Sequence, residues 1–290
     1  MKGKVYLVGA GPGDPELLTV KALRLLRTSE AVLHDDLVAP EILKLIPPTA
    51  QIYDAGKRCG KKKILQGEIN GLMVALASSG LRVVRLKGGD PLIFGRAGEE
   101  IESLRANNIP FEIVPGVTSA LGAAAAARIP LTHRRASSAL VLITAHRASE
   151  RRSFTPRVSE QDAPEKDPAD WSKLVSSGAT LVIYMPGQDY SDIARRLMAA
   201  GLAGATPCAI ISRATTKRQR THRTTVLDLR RAPQLAAPTL LVVGEVVGLA
   251  DPAVMVDEFV LPSLPPGNDS LLPTAIFQEI PLAGATPGSR

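Results

Sequence analysis

The sequence of 290 residues predicts an α/β protein made of two α/β domains. Short apolar runs alternate with stretches of helical period, which is typical of strands connected by helices. Hydrophobic residues make up 45% of the chain and aromatic residues only 3%, so the core must be built from aliphatic side chains, as in parallel sheets. Pro115-Gly116 interrupts the alternation. We therefore expect an N-terminal domain at 1–116 and a C-terminal domain at 117–250.

Apolar runs bounded by turn residues predict the strands of both domains. In the N-terminal domain they lie near 4–8, 31–34, 51–54, 82–86 and 111–114. In the C-terminal domain they lie at 139–144, 180–184, 207–212 and 239–243. Because helical stretches separate the first five runs, we expect these strands to form a parallel sheet.

Three stretches carry the signals of helices. Apolar residues recur at helical spacing over 15–28, behind Asp14, which is a good N-cap. An alanine-rich helix is predicted at about 118–127, with Thr118 as its N-cap. An amphipathic helix is predicted at about 191–200.

Two segments interrupt or follow this pattern. Residues 146–171 combine dense mixed charge with prolines and no periodicity, which predicts a flexible insertion at the surface of the C-terminal domain. Residues 251–290 are rich in proline and nearly free of basic residues, so we expect a tail that is loosely ordered or wraps a neighbour.

Two glycine-rich turns, each directly after a predicted strand, indicate a ligand pocket. The first is GAGPGDP at 9–15, and the second is GGDP at 88–91 within VRLKGGDPLIFGR. Paired glycines let backbone groups approach a flat ligand, and the adjacent carboxylate can accept hydrogen bonds or face a cation. The first turn is similar to a dinucleotide fingerprint, but Asp14 stands where its third glycine should fall, so we reject that interpretation.

The net charge of +7 predicts an anionic partner. Basic residues cluster beside the proposed pocket segments, at Lys57, Arg58, Lys61 to Lys63, Arg134, Arg135, Lys217, Arg218, Arg220 and Arg223. Single-strand nucleic-acid binders add stacking aromatic rings, which this chain spreads thinly. A compact polycarboxylate would need the same concentration of positive charge, and we expect no nucleic-acid partner.

The sequence contains no stretch of about 20 apolar residues and no signal-peptide core, so we expect a cytoplasmic protein with no membrane partner. Cys59 and Cys208 lie far apart, which argues against a disulfide framework and against a cysteine-based zinc site. No metal site is expected.

Several long segments in a fixed order resemble the tetrapyrrole methylase superfamily, and within it most closely its uroporphyrinogen-III C-methyltransferase branch. The likeness covers roughly residues 3–250, and several motifs in one order are far more specific than a lone glycine loop. The segments are GAGPGDPELLTVKA (9–22), HDDLV (34–38), GKRCG (56–60), QGEIN (66–70), RLKGGDPLIFGRAGEE (85–100), PGVTSA (115–120), IPLTHR (129–134), LVIYM (181–185), TPCAIISRATTKRQR (206–220) and LLVVGEVV (240–247).

The resemblance implies two α/β domains with S-adenosylmethionine held in a cleft between them, and a homodimer. It further implies conversion of uroporphyrinogen III to precorrin-2 by methylation at C2 and C7, a product that feeds sirohaem, cobalamin and haem d1 synthesis. A macrocycle with acetate and propionate arms carries roughly eight negative charges at neutral pH, which agrees with the basic clusters.

The resemblance also assigns roles to individual residues. Asp35 matches the family's proton acceptor and Lys57 its proton donor. Arg96, Glu99 and Arg134 match positions that bind or activate the macrocycle. Cofactor-binding positions are matched by Pro12, Gly88, Gly89, Asp90, Ile93, Thr118, Ser119, Met185, Ala214 and, less surely, Thr239.

Two departures from the family pattern flank the predicted proton acceptor. His34 stands where the family has tyrosine and Asp36 where arginine is common, so the charge around Asp35 is altered. Other functions stay open: a related methylase acting on a later corrinoid, or an RNA or protein methyltransferase of the same superfamily. A non-catalytic adenosyl-binding module is a further alternative, and it would bind the cofactor without consuming its methyl group.

Overall fold

The computed structural model describes residues 2–56, 64–145 and 171–250, all within one compact unit that spans Met1–Phe259. These residues form two five-stranded sheets with helices on their faces, which confirms the predicted α/β class. The first sheet uses residues before Gly116 and the second uses residues after it. The predicted tail and residues 146–170 of the predicted insertion lie outside the described residues.

The first sheet is parallel throughout and has the order β3-β2-β4-β1-β5. The strand positions predicted from the apolar runs are confirmed to within a residue or two; β1, β2 and β4 are almost entirely buried, whereas β3 at the edge of the sheet is not. The strands are β1 (Val5–Gly9), β2 (Ala31–His34), β3 (Gln51–Asp54), β4 (Val83–Lys87) and β5 (Phe111–Val114).

Helices cover both faces of the first sheet. The helices α1 (Val20–Arg27) and α2 (Pro40–Leu43) pack on one face, through side chains such as Leu26 and Ile42. The helices α3 (Gln66–Ser78) and α4 (Ala97–Ala106) pack on the other face. The sheet is therefore buried on both sides, as parallel sheets require.

The predicted helix over 15–28 is wrong in its first turn. Asp14 caps only a short 3₁₀ helix, Pro15–Leu17, by accepting a hydrogen bond from the backbone of Glu16. The helix α1 begins later, where the Thr19 hydroxyl accepts from the backbone N–H of Ala22 at 3.1 Å. A second capping residue within the apolar period therefore divides the segment.

The second sheet is mixed and has the order β6-β7-β10-β8-β9. Only the pair formed by its first two strands is parallel. The sequence analysis missed one strand, Arg220–Thr225, because this segment is polar and basic rather than apolar. The strands are β6 (Leu140–Thr144), β7 (Thr180–Tyr184), β8 (Pro207–Ser212), β9 (Arg220–Thr225) and β10 (Thr239–Val243).

Three helices accompany the second sheet. The alanine-rich helix α5 (Ser119–Ala126) packs on one face, and α6 (Trp171–Ser176) and α7 (Ser191–Ala199) pack on the other. Trp171, the last residue of the predicted insertion, begins α6 and is buried, so the insertion ends one residue earlier than predicted. Across the described residues, no helix combines the length and apolar character needed to cross a membrane.

The connections of the first sheet determine where a ligand can bind. The strands β1 and β4 are neighbours, but the chain leaves β1 through α1 on one face and leaves β4 through α4 on the other. Such a switch point opens a crevice at the carboxyl ends of the two strands, where open α/β sheets bind their ligands. Both glycine-rich turns follow these two strands.

Candidate active site

The glycine turns at the carboxyl edge of the first sheet interlock through their backbones. Gly11 donates to the carbonyl of Gly89 at 3.1 Å, and Gly89 donates to the carbonyl of Gly11 at 2.8 Å. A Cβ at Gly116 would lie 2.4 Å from the Gly89 carbonyl oxygen, and a Cβ at Gly9 would lie 2.6 Å from the Gly116 Cα. Gly9 and Gly116 are therefore needed for the close packing of these loops, and the ligand contacts predicted for Gly88 and Gly89 stay a prediction.

Asp90 ties the second glycine turn to the loop after β5. Its Oδ1 accepts from the backbone N–H of Leu92 at 2.8 Å, and its Oδ2 accepts from the N–H of Gly116 at 3.1 Å. Both carboxylate oxygens therefore hold the backbone in place. Each oxygen keeps a second lone pair, so the predicted contact with a ligand remains compatible with this geometry.

Asp35, directly after β2, belongs to a buried charge cluster with Arg85, Lys87 and Glu100. Arg85 forms an ion pair with Asp35, and its Nε donates to Glu100 Oε1 at 2.9 Å. The Lys87 ammonium lies 3.0 Å from Glu100 Oε1 and 3.7 Å from Asp35 Oδ2. The side chains of Arg85, Lys87 and Glu100 are at most 3% exposed, whereas that of Asp35 is 28% exposed.

Strand periodicity explains how this cluster forms. The side chains of Val83, Arg85 and Lys87 alternate onto the face of β4 that α4 covers, and there they meet Glu100. Burial alone would lower the Arg85 pKa, but the two carboxylates outweigh it and raise that pKa above its ordinary value. The cluster thus presents a single carboxylate, Asp35, to solvent at the predicted crevice.

The two residues flanking Asp35 differ in their surroundings. His34 is buried, and its Nδ1 lies 3.2 Å from the carbonyl oxygen of Asp35. Asp36 lies in an exposed turn. Of the two adjacent aspartates, the one predicted as proton acceptor is therefore the one held by buried cations.

Tyr184, the last residue of β7, joins several predicted cofactor residues. Its hydroxyl lies 2.6 Å from Thr118 Oγ1 and accepts from the backbone N–H of Ala120 at 3.1 Å. Its ring lies 4.9 Å from the ring of Phe94, centroid to centroid, at an interplanar angle of 55°. The sequence analysis missed this residue, although a tyrosine that ends an apolar strand signals a buried hydroxyl in need of a partner.

Further predicted cofactor residues surround Tyr184. Ile93 and Ala214 pack in the same core cluster as its ring. Met185 follows it in the chain, is 50% exposed and has a φ of 50°, an unusual conformation for a residue with a side chain. Ser119 begins α5, and its Oγ lies 3.3 Å from the position of a Cβ at Gly89.

The first glycine turn contacts elements that follow the first sheet. A Cβ at Gly122 of α5 would lie 2.5 Å from Pro12 Cγ, and a Cβ at Gly13 would lie 2.7 Å from Thr216 Cγ2. The backbone N–H of Asp14 donates to Thr215 Oγ1 at 3.1 Å. The fold therefore brings Pro12 close to α5 and to the loop after β8, which carries Ala214.

Thr239 lies apart from this group. It alternates along β10 with Leu241 and Val243, whose side chains pack with α6 and α7. The side chains of Leu240 and Val242 point instead to the face that α5 and Tyr184 cover. The structure therefore does not bring Thr239 to the other predicted cofactor residues.

The predicted substrate residues are exposed. Arg96 and Glu99 form a two-pronged ion pair, with Nε–Oε1 and Nη2–Oε2 distances of 2.7 Å. This hydrogen bonding with Arg96 lowers the pKa of Glu99 below its usual range. Arg134 is exposed in the turn between α5 and β6. Lys57, the predicted proton donor, lies outside the described residues.

Comparisons with known proteins agree with this geometry. The model of the tetrapyrrole (corrin/porphyrin) methylases matches residues 4–230. Siroheme synthase 2 of Aeromonas hydrophila is 47% identical over 250 residues, which are 86% of this chain and 50% of that protein. The chain thus spans about half the length of this curated relative.

Solved structures of uroporphyrin-III methyltransferases are also similar to this chain in sequence and in fold. The uroporphyrin-III-C-methyltransferase of Thermus thermophilus is 40% identical, with a TM-score of 0.67 over 86% of this chain and 95% of that chain. Its structure complexed with S-adenyl homocysteine is 35% identical, with a TM-score of 0.68 over 85% of this chain and 94% of that chain.

The fold and the candidate site together define a two-sheet α/β protein with a crevice at the switch point of its parallel sheet. The family match covers most of the chain, including the whole first sheet and every strand of the second sheet except β10. The chain belongs to the tetrapyrrole (corrin/porphyrin) methylases, and the resemblance stated from its motifs is confirmed.

Proposed function

We propose that this chain is an S-adenosylmethionine-dependent C-methyltransferase that converts uroporphyrinogen III to precorrin-2 by methylation at C2 and C7. The observation that carries the proposal is the carboxyl edge of the first sheet. There Asp35, the one solvent-reaching member of the buried charge cluster, shares an edge with both glycine turns. The family and the Thermus structures support the same assignment.

The cofactor is S-adenosylmethionine, and the residues around Tyr184 fit it. Ile93 and Ala214 supply apolar walls, and the half-exposed Met185 can cover a flat adenine. Thr118 supplies a hydroxyl, and Asp90 keeps acceptor capacity for an ammonium or a ribose hydroxyl. We propose Pro12, Gly88, Gly89 and Ser119 as backbone and packing contacts of the same site.

The chemistry needs alignment and proton removal rather than a metal. When bound, the cofactor would supply a methyl group on a positive sulfonium. An electron-rich pyrrole carbon would form a bond to this methyl group as the methyl–sulfur bond breaks, and S-adenosylhomocysteine would leave. The methylated carbon carries no hydrogen, so Asp35 would accept the proton that the positively charged macrocycle loses from another position, while Arg85 and Lys87 hold the Asp35 carboxylate in one orientation. We propose Lys57 as the proton donor for the following step.

Charge supports the choice of substrate. Arg134 is exposed, and the fork of Arg96 can exchange its partner Glu99 for a carboxylate arm of the macrocycle. The net charge of +7 favours a substrate with several carboxylates. We further propose a cytoplasmic homodimer, whose mass light scattering would measure.

Anaerobic incubation with S-adenosylmethionine and freshly generated uroporphyrinogen III tests the proposal. We expect a product heavier by two CH₂ units, because each methyl group is added with the loss of one proton, with the absorbance of a dihydro-macrocycle and with two molecules of S-adenosylhomocysteine formed per product. Cofactor binding without methyl consumption would contradict the proposal and favour a non-catalytic adenosyl-binding module. Methylation of a later corrinoid but not of uroporphyrinogen III would favour the related methylase activity.

A further inference from the structure

The helix α5 begins with an unusual cap. Thr118 occupies its N-cap position, yet the Thr118 side chain makes no capping hydrogen bond. The backbone N–H of Ala120, which a threonine cap would ordinarily satisfy, donates instead to the hydroxyl of Tyr184 at 3.1 Å. A residue from another strand has therefore taken over the capping of this helix.

Either hydroxyl could donate in the second hydrogen bond, and we assign its direction by counting protons. The Tyr184 hydroxyl already accepts from Ala120, and Thr118 Oγ1, at 2.6 Å, is the acceptor available to its own proton among the residues that the structure describes. Burial raises the pKa of Tyr184 above its ordinary value, so the hydroxyl keeps that proton. Tyr184 therefore donates to Thr118.

This arrangement releases the proton of Thr118. Its Oγ1 receives a hydrogen bond from Tyr184, it does not serve as the helix cap, and the residue is partly exposed. With Tyr184 as the donor, no other acceptor for the Thr118 proton lies among the hydrogen bonds of the described residues. A partly exposed hydroxyl held in one orientation with a free proton is suited to donate to a bound ligand.

We infer that Tyr184 is a positioning residue for the cofactor: by capping α5 in place of Thr118, it leaves the Thr118 hydroxyl free to donate to S-adenosylmethionine. The inference rests on the proposed cofactor site. It also accounts for the ring contact with Phe94, which fixes Tyr184 against the loop that carries Ile93. Without the Tyr184 hydroxyl, Thr118 would turn to cap its own helix.

A double-mutant cycle tests this inference. Tyr184→Phe keeps the ring and its packing, and Thr118→Val keeps the shape of the threonine. We expect each single variant to weaken binding of S-adenosylhomocysteine by about 3- to 10-fold in calorimetry. The double variant should bind no more weakly than the weaker single variant, because both substitutions remove the same hydrogen bond. The KM for the macrocycle should stay nearly unchanged.

Thr118→Val also gives a test that does not depend on the tyrosine variant folding well. This variant should lose S-adenosylhomocysteine affinity by about the same 3- to 10-fold, and any fall in its melting temperature reports the buried Tyr184 proton, which loses its acceptor. Tyr190→Phe, which removes a buried hydroxyl on the opposite face of the second sheet, is the matched control and should bind S-adenosylhomocysteine like the wild type.

Two results would overturn the inference: unchanged affinity in folded Tyr184→Phe, or losses that multiply in the double variant. A different result would separate the two proposals. If the wild-type chain binds S-adenosylhomocysteine but does not methylate uroporphyrinogen III, the proposed reaction is wrong, whereas the role inferred for Tyr184 is unaffected.

Discussion

Asp35 and Asp36 are adjacent in the sequence, but the fold gives them different surroundings. The Asp35 carboxylate meets the guanidinium of Arg85 and the ammonium of Lys87, whereas Asp36 lies in an exposed turn. A carboxylate held by buried cations keeps one orientation, and this suits a group that must meet a particular proton. Position on the fold therefore favours Asp35 as the proton acceptor.

Replacing Asp35 tests this role. Asp35→Asn keeps the shape and most hydrogen bonds but removes the basic oxygen, so turnover should fall by about 10²- to 10⁴-fold with little change in cofactor affinity. Steady-state kinetics and calorimetry measure the two effects. Asp36→Asn is the matched control and should have a smaller effect on turnover.

If Asp36→Asn lowers turnover more than Asp35→Asn does, the exposed Asp36 is the proton acceptor and the assignment of Asp35 is wrong. If neither substitution lowers turnover, the proton is accepted by solvent or by the carboxylates of the substrate. The enzyme would then act by holding the macrocycle in line with the sulfonium methyl.

At the scale of elements, the sequence predicted most strands because aliphatic runs are buried on both faces of a sheet. It did not predict β9, whose polar residues form a strand only because β8 offers a partner edge. Nor did it predict the break at Thr19, where local capping outweighs the helical period. In the first case a tertiary contact, the pairing with β8, makes a strand of a polar segment, and in the second a capping hydrogen bond ends the helical pattern.

The candidate site was predictable in part. Motifs located the glycine turns, Asp35 and Thr118, but they gave no partners for them. Arg85 and Lys87 in an apolar strand are a signal of buried charge, yet Glu100 lies in a later helix and only packing brings it to them. The capping of α5 by Tyr184 could not be predicted either, because it joins residues 64 positions apart in the sequence.

The docking of α4 on β4 depends on Glu100. Glu100→Ala would leave Arg85 and Lys87 buried with Asp35 as their shared counterion, so we expect a loss of about 3–5 kcal/mol in the free energy of unfolding. Denaturant titration measures it. Glu99→Gln, one residue earlier on the exposed side of the helix, should change the stability by less than about 1 kcal/mol. Similar effects of the two substitutions would mean that the buried charge cluster does not hold this helix.

At the scale of the whole molecule, the first glycine turn connects elements that are far apart in the sequence. Pro12 fills the space beside Gly122 of α5, and Gly13 lies against Thr216 after β8. Asp14 adds a hydrogen bond to Thr215. These contacts agree with one compact unit that includes both sheets. The predicted boundary at Gly116 therefore stays a prediction.

Two glycine-to-alanine substitutions in helices should have opposite signs. Gly122→Ala would place a methyl group 2.5 Å from Pro12 Cγ, a rigid neighbour, so we expect a loss of about 1–3 kcal/mol in stability. Gly71→Ala in α3 meets nothing within 4 Å and should add up to about 1 kcal/mol. Thermal unfolding of both variants measures the difference, and stabilisation by Gly122→Ala would disprove the close approach of the first turn to α5.

The central claim is that the cofactor binds at the carboxyl edge of the first sheet, between the glycine turns and the start of α5. A crystal structure with S-adenosylhomocysteine tests it most directly. We predict a ligand that contacts the loop at 88–93, the hydroxyl of Thr118 and the side chain of Met185, with its sulfur facing the side of the crevice that carries Asp35. A ligand bound elsewhere, with Thr118 capping its own helix, would contradict the account.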